Sequence, residues 1–149
     1  MILVNWVERK HEREMTIAAK AQPIWDNLSV AVKESVNSFN RIYRQQKKQA
    51  AFVASSAHIV VSMELPLQKT SIQASEMVKH AKAEIALNAS EYFIACTYEH
   101  SIAKDVKLTF DVEEDFSEAF LRHGDIRIAK ADSAAEIILE EFFQELTKQ

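Results

Sequence analysis

The stretch that decides the fold reads Val106-Lys107-Leu108-Thr109-Phe110-Asp111-Val112-Glu113. Apolar and polar side chains alternate here without a break, and this period of two residues is typical of a β-strand with one buried face. Such half-solvated strands favour antiparallel pairing, because parallel sheets are usually covered on both faces. The stretch therefore predicts one strand of an antiparallel sheet that has an open, solvated face.

Alternation recurs on both sides of this stretch and indicates further strands. The alternating segments are 59–65, 84–88 and 91–99. Farther along, Gly124 stands between residues 119–121 and 126–128, where a tight turn needs a positive φ. We expect a sheet of about five strands. Residues 67–82 stay undecided between a helix, an irregular strand and a mobile excursion.

Helical periodicity precedes and follows the sheet. An apolar stripe with spacings of three and four residues predicts a helix packed by one face; it comprises Trp25, Leu28, Val32, Val36, Phe39 and Tyr43. Pro23 indicates either a kink in a long N-terminal helix or the start of a second helix. Near the C-terminus, Ser133 and Glu136 form a capping box ahead of a second stripe, which comprises Ala135, Ile138, Leu139, Phe142 and Leu146.

The predicted fold is α+β in two layers, with long or kinked N-terminal helices, an antiparallel sheet, and a C-terminal helix packed on one sheet face. No linker rich in Pro, Gly or Ser interrupts residues 23–149, so they form one domain, and residues 1–22 form a helical arm outside it. The predicted core consists of Trp25, Leu28, Phe39, Ile59, Val61, Ile94, Leu108, Phe110, Ile138 and Phe142.

Composition excludes several kinds of site. With Gly124 as the only glycine among 149 residues, neither a P-loop, a G-x-G-x-x-G fingerprint nor a G-x-S-x-G elbow is present. Cys96 is the only cysteine, so no disulfide forms within the chain, which favours a reducing, cytoplasmic location. The apolar start of the chain is seven residues long, and we expect neither a signal peptide nor a membrane span.

Charge is divided unevenly along the chain. Residues 1–48 carry nine Lys and Arg against five Asp and Glu, and residues 49–149 carry nine against seventeen. A basic N-terminal part on an acidic body favours contact with that body or with a neighbouring copy. Because the net charge is −4 and the basic cluster is small, we expect neither nucleic acid nor a membrane surface as the partner.

Residues that carry chemistry form no recognisable pattern. The histidines make no H-x-H, H-x-x-x-H or H-E-x-x-H motif, so we predict no metal site, cofactor or catalytic residue. Tyr92, Tyr98 and His100 share a strand face with Cys96, which we predict to be a buried structural cysteine. A ligand in a cleft between sheet and helices would satisfy the two hydroxyls. Hydroxyls that reach solvent explain the same residues without a ligand.

The N-terminal tip, which comprises Ile2, Leu3, Trp6 and Val7, is apolar and separated from the predicted core by charged residues. Exposed in water it is costly, so it packs on another chain, folds back onto the sheet near Phe93, or, as the weakest option, contacts a membrane. The leading hypothesis is a non-catalytic interaction or oligomerisation domain, a homodimer formed through this tip. The alternative is a small-molecule-binding domain, and the third hypothesis is an enzyme of unidentified class.

Overall fold

An antiparallel sheet of seven strands and two helices make up the structure, a computed structural model that describes residues 2–43, 49–66 and 78–147. In chain order the elements are α1 (Ile2–Ile42), β1 (Ala51–Ala54), β2 (His58–Pro66), β3 (Val78–Asn88), β4 (Phe93–Glu99), β5 (Val106–Val112), β6 (Ala119–His123), β7 (Ile126–Ile128) and α2 (Ala131–Thr147). Each strand pairs with the next in the sequence. The α+β prediction is confirmed, with seven strands in the described ranges where about five were expected.

The alternation of β5 is confirmed at the centre of the strand. Leu108 and Phe110 are buried beneath the helices, whereas Lys107 is exposed on the other face of the sheet. Register carries the buried row across the neighbouring strands, since Leu108 pairs with Ile94 and Phe110 with Leu121. All ten predicted core residues are buried. One sheet face therefore holds the core, and the opposite face is open.

The strand count differs from the prediction for two reasons. β1 has only four residues, all apolar, so it shows no alternation. The segments 119–121 and 126–128 are two separate strands, β6 and β7, joined by a tight turn. Of the undecided segment 67–82, residues 67–77 lie outside the described residues, and 78–82 begin the long strand β3. There Ala81 and Ala83 face the core, and alanine is a weak β-strand signal.

Gly124 begins the predicted turn between β6 and β7. His123 pairs with Ile126, which leaves a two-residue loop, and Gly124 has a φ of 62°. Asp125 has no positive φ, so the combination fits a type II′ turn, in which glycine takes the first central position.

α1 continues through Pro23 as one helix, so a second helix does not start there. Pro23 removes a hydrogen bond to the carbonyl of Ala19, and both residues lie on the exposed side of the helix, where this carbonyl is open to solvent. Burial begins upstream of the proline, at Ile17 and Ala21. The arm of residues 1–22 stays a prediction, and its last turns contribute to the core.

α2 begins earlier than the capping box predicts. The carbonyl of Lys130 accepts the first helical hydrogen bond, from the N–H of Ala134 at 3.2 Å. Ser133 therefore lies inside the first turn and is not the N-cap residue. Asp132 in that turn complements the helix dipole. All five residues of the predicted apolar face are buried. Next to that face, the ring of Phe143 stacks on Phe39 of α1 with the ring centres 4.5 Å apart.

Candidate functional site

The structure does not bring together the three residues of the predicted ligand site. Tyr92 precedes β4 in a turn, with a φ of 62°, and Tyr98 lies near the far end of that strand. Six residues of extended chain separate them by about 20 Å. His100 lies beyond β4, exposed and with a φ of 56°. A ligand would have to span most of the strand to touch all three residues.

The Tyr98 hydroxyl has a protein partner. It donates a hydrogen bond to the backbone carbonyl of Ile138 in α2, and its ring lies 5.9 Å from that of Phe142. Burial raises the pKa of Tyr98 well above its ordinary value, and the neighbouring Cys96 acts in the same direction. In this position Tyr98 fastens β4 to α2.

A cavity of about 160 Å³ lies between α1 and the β6–β7 end of the sheet. Leu28 and Phe120 belong to its apolar lining, and Asn27 and Lys130 supply polar groups. Ligand pockets usually occupy roughly 300–1,000 Å³, so this space fits a much smaller molecule than most ligands. Neither tyrosine of the predicted site lines it.

The N-terminal half of α1 carries the most unusual surface of the described chain. Counted back from buried Ile17 at helical spacing, the same stripe passes through Arg13 and Lys10 to Trp6. Trp6 is 61% exposed, and its neighbour Val7 is exposed as well. The side chains of Ile2 and Leu3 lie outside the part that the structure describes. The face of α1 that builds the core thus continues, uncovered, toward its tip.

Opposite this stripe runs the loop between β5 and β6, here called the acidic loop, with Glu113, Glu114, Asp115 and Glu118. Helix and loop enclose the arm groove, an open space of about 430 Å³. It is lined by Trp6, Arg9, Lys10, Arg13, Val112, Glu113, Glu114 and Phe116. One wall is basic and the other acidic, and each wall carries an aromatic ring.

Contacts with α1 hold the acidic loop in place. The hydroxyl of Thr16 donates to the carbonyl of Phe116 at 3.2 Å, and the guanidinium of Arg9 lies 5.4 Å from the centre of the Phe116 ring. The ammonium of Lys20 lies 3.8 Å from a carboxylate oxygen of Glu118. Phe116 has a φ of 58°, a left-handed conformation that is unfavourable for a residue with a Cβ. These contacts stabilise a strained residue in the wall of the groove.

Arg13 joins α1 to the sheet where β4 stops. The N–H of Phe110 donates to the carbonyl of Tyr92, the residue just before β4. In a strand the N–H and the carbonyl of one residue point to the same side, so the carbonyl of Phe110 also points toward β4, where the strand has not yet begun. Arg13 donates to that carbonyl at 3.2 Å and lies 3.7 Å from a carboxylate oxygen of Asp111. The basic wall of the groove is therefore anchored at its inner end.

In the described part of the tip, Trp6 does not pack on the sheet near Phe93 but lines the arm groove beside Glu114 and Phe116. The Phe93 ring instead carries the ammonium of Lys107 at 4.4 Å. Contact between the basic N-terminal part and the acidic body, which the charge distribution predicted, does occur at Lys20 and Arg13. The groove between them was missed, because carboxylates in a turn are ordinarily interpreted as solvated. Its available signal was the helical spacing from Ile17 back to Trp6.

Metal centres and membrane spans are both absent from the described ranges. Within residues 2–43, 49–66 and 78–147, no three His, Cys, Asp or Glu side chains lie close enough to hold a metal ion. Neither α1 nor α2 is both long and apolar enough to cross a membrane, as far as their described residues reach. No protein family, curated protein or solved structure matches this chain.

Proposed function

We propose that the protein is a non-catalytic association module that pairs with a second copy of itself through the arm groove. The observation that carries the proposal is Trp6, a large aromatic side chain left mostly in water at the mouth of a groove with charged walls. Tryptophan is enriched among the residues that contribute most to protein–protein binding, and it contributes when it is buried by the partner.

Charge favours a second copy as the occupant. The helix wall of the groove offers Arg9 and Lys10, and the loop wall offers Glu113 and Glu114. In a two-fold pairing both copies use the same patch, so the basic wall of each copy can face the acidic wall of the other. A groove that carries both signs is therefore complementary to itself.

Three of these four charged residues have a ring or ion-pair partner within the chain, and for Arg9 it is the Phe116 ring already described. Lys10 lies 5.8 Å from the centre of the Trp6 ring, so the same helix presents a ring together with a cation. Glu113 forms an ion pair with Arg127 of β7. The acidic loop is thus tied to β7 as well as to α1.

The test compares the native mass of the wild type with that of two variants of α1. Trp6→Ala removes the exposed ring, and we expect the native mass to fall to half the wild-type value. Met15→Ala is the matched control: Met15 is 60% exposed, but about two and a half turns of helix place it on the opposite face from Trp6. We expect the control to keep the wild-type mass.

At a concentration low enough to dissociate the wild type, both variants should melt at the wild-type temperature. The reason is that neither Trp6 nor Met15 belongs to the core. A Trp6→Ala protein that keeps the wild-type mass would contradict the proposal. So would an equal loss of mass in the Met15→Ala control, since the effect would then not belong to the groove.

A further inference from the structure

β1 is an edge of the sheet with one side unpaired. It is the first strand in the order and pairs only with β2. The N–H of Ser55 donates to the carbonyl of His58 at 2.7 Å. Hydrogen-bonded positions alternate along an antiparallel pair, so the N–H and carbonyl groups of Val53 and Ala51 also point toward β2. The backbone groups of Phe52 and Ala54 consequently point away from the sheet.

Those outward groups are open for pairing. Two residues before Phe52, on the same side of the chain, Ala50 is capped by Asn40 of α1, whose side chain accepts from the N–H of Ala50 at 2.7 Å and donates to its carbonyl at 2.9 Å. In the described part of the chain, the outward N–H and carbonyl groups of Phe52 and Ala54 have no such partner. Asn40 thus blocks the edge at one end and leaves two residues free.

β1 also lacks the features that usually protect an edge strand. Charged side chains, prolines and bulges normally prevent the pairing of edges, yet residues 49–57 contain no charged residue and no proline. Val53 at the centre of β1 is 68% exposed. The opposite edge, β7, has three residues and carries Arg127 at its centre. Of the two edges, β1 is the one suited to accept another strand.

We propose that β1 pairs antiparallel with β1 of a second copy, about a two-fold axis that passes through Val53. In this register Phe52 of each copy faces Ala54 of the other, and both are hydrogen-bonded positions, so all of the open backbone groups find partners. Val53 then faces its own equivalent at a non-hydrogen-bonded position, where side chains are closest.

The side chains agree with this register. Val53 pairs with Val60 of β2 on the open face of the sheet, so the proposed contact would join two valine pairs into one apolar row. The short strand carries no charge that would meet its own copy across the axis. This interface lies apart from the arm groove and does not depend on it.

The test is made in the Trp6→Ala background, which removes association through the groove. Since both interfaces operate in the wild type, we expect Trp6→Ala, at half the wild-type mass, to be a dimer held by β1. The further change Val53→Lys should give a monomer, and Ile126→Lys should leave the dimer intact. Ile126 is the matched control, because it lies on the other edge strand and is 66% exposed. A Trp6→Ala protein that is already monomeric, or a Val53→Lys protein that stays dimeric, would overturn the pairing of β1.

Cross-linking tests the register itself. Non-hydrogen-bonded residues of an antiparallel pair lie about 4.5 Å apart at Cα, a distance that a disulfide spans. Under mild oxidation Val53→Cys should give a covalent dimer, and Ile126→Cys should not. Equal cross-linking of the two variants would contradict the proposed axis. Conversely, loss of mass in Val53→Lys but not in Trp6→Ala would refute the groove and leave the β1 pairing standing.

Discussion

Cys96 lies on the core side of β4, between Ile94 and Tyr98 on the same face of the strand. Burial raises the pKa of its thiol to about 12, although a hydrogen bond with Tyr98 opposes the shift. A thiol reacts as the thiolate, so this residue is kept in its unreactive form. The expected burial of this cysteine is confirmed.

We predict that Cys96 resists alkylation in the folded protein. Compared with a thiol at the ordinary pKa of 9.0, its thiolate fraction at pH 8 is lower by about a thousandfold. Labelling with iodoacetamide, followed by intact mass, should be slow until the protein is denatured. A Cys96→Ala, Thr97→Cys variant is the control, since Thr97 is exposed on the other face of β4, and it should label quickly. Equal labelling rates in the two folded proteins would contradict the burial.

At the scale of single residues, the sequence was informative where backbone geometry restricts the choice. Gly124 was predicted in a turn because positive φ favours glycine, and it occupies that turn. Tyr92, His100 and Phe116 adopt positive φ as well, but nothing about tyrosine, histidine or phenylalanine as residue types predicts this conformation. In the case of Phe116 the conformation is supported by α1, about a hundred positions away in the chain, so no local pattern could reveal it.

Three elements of the fold, α1, β5 and β6, meet at the carboxylate of Asp111. Burial alone would raise the pKa of Asp111, but the hydrogen bond from Arg122, at 2.7 Å, and that from the N–H of Val112 more than offset it. The charge of Arg13 acts in the same direction, and the net pKa is below its ordinary value. Asp111 is therefore held as a carboxylate that ties three elements together.

Because the folded-state pKa of Asp111 is lowered, its carboxylate stabilises the fold above the ordinary pKa, and this contribution is lost as the pH falls through the folded-state value. We predict that Asp111→Asn lowers the free energy of unfolding at pH 7 by about 1 kcal/mol. Below pH about 4 the difference from the wild type should shrink. Urea titrations across this pH range measure it.

Asp125→Asn is a suitable comparison for Asp111→Asn, because Asp125 is exposed in the β6–β7 turn. It should leave stability nearly unchanged at every pH. A deficit in Asp111→Asn that stays constant down to acid pH would show that the loss comes from packing and not from the charge.

Prediction of the elements succeeded where a long segment repeats its period. Strand β5 and the buried face of α2 were both predicted from spacing alone. β1 was missed because four apolar residues carry no period, and pairing with β2 decides their structure. The start of α2 was displaced because Ser133 and Glu136 fit a capping box, whereas the chain enters the helix at Lys130 directly from β7. In both cases the rest of the fold, and not the local sequence pattern, decides the structure.

At the scale of the whole molecule, the sequence periodicity did not predict the length of α1. A helix of 41 residues extends about 60 Å, well beyond the diameter of a domain of this size, which is about 40 Å. Its C-terminal part crosses the sheet, and its N-terminal part reaches past it toward the acidic loop. The sequence identified the apolar tip, but the wall that faces it comes from residues about a hundred positions later.

The position of Ile17 marks where the described side chains of α1 begin to belong to the core. Trp6 and Val7 are exposed, and from residue 5 onward the first fully buried side chain is that of Ile17. A variant without residues 2–8 should therefore unfold within about 0.5 kcal/mol of Trp6→Ala, which lacks the same association. Removal of residues 2–21 also deletes Ile17, Ala21 and the Arg13 contacts, and we expect it to cost about 3–5 kcal/mol.

Trp6→Ala is the proper reference for both truncations, because association of the wild type would itself add apparent stability. Thermal and urea unfolding at matched concentration give the comparison. Equal stability of the two truncated proteins would mean that residues 9–21 contribute nothing to the fold, contrary to the burial of Ile17 and the bond from Arg13 to β5. A large loss on removal of residues 2–8 alone would instead show that the tip packs within its own chain, and the groove would then be filled without a second copy.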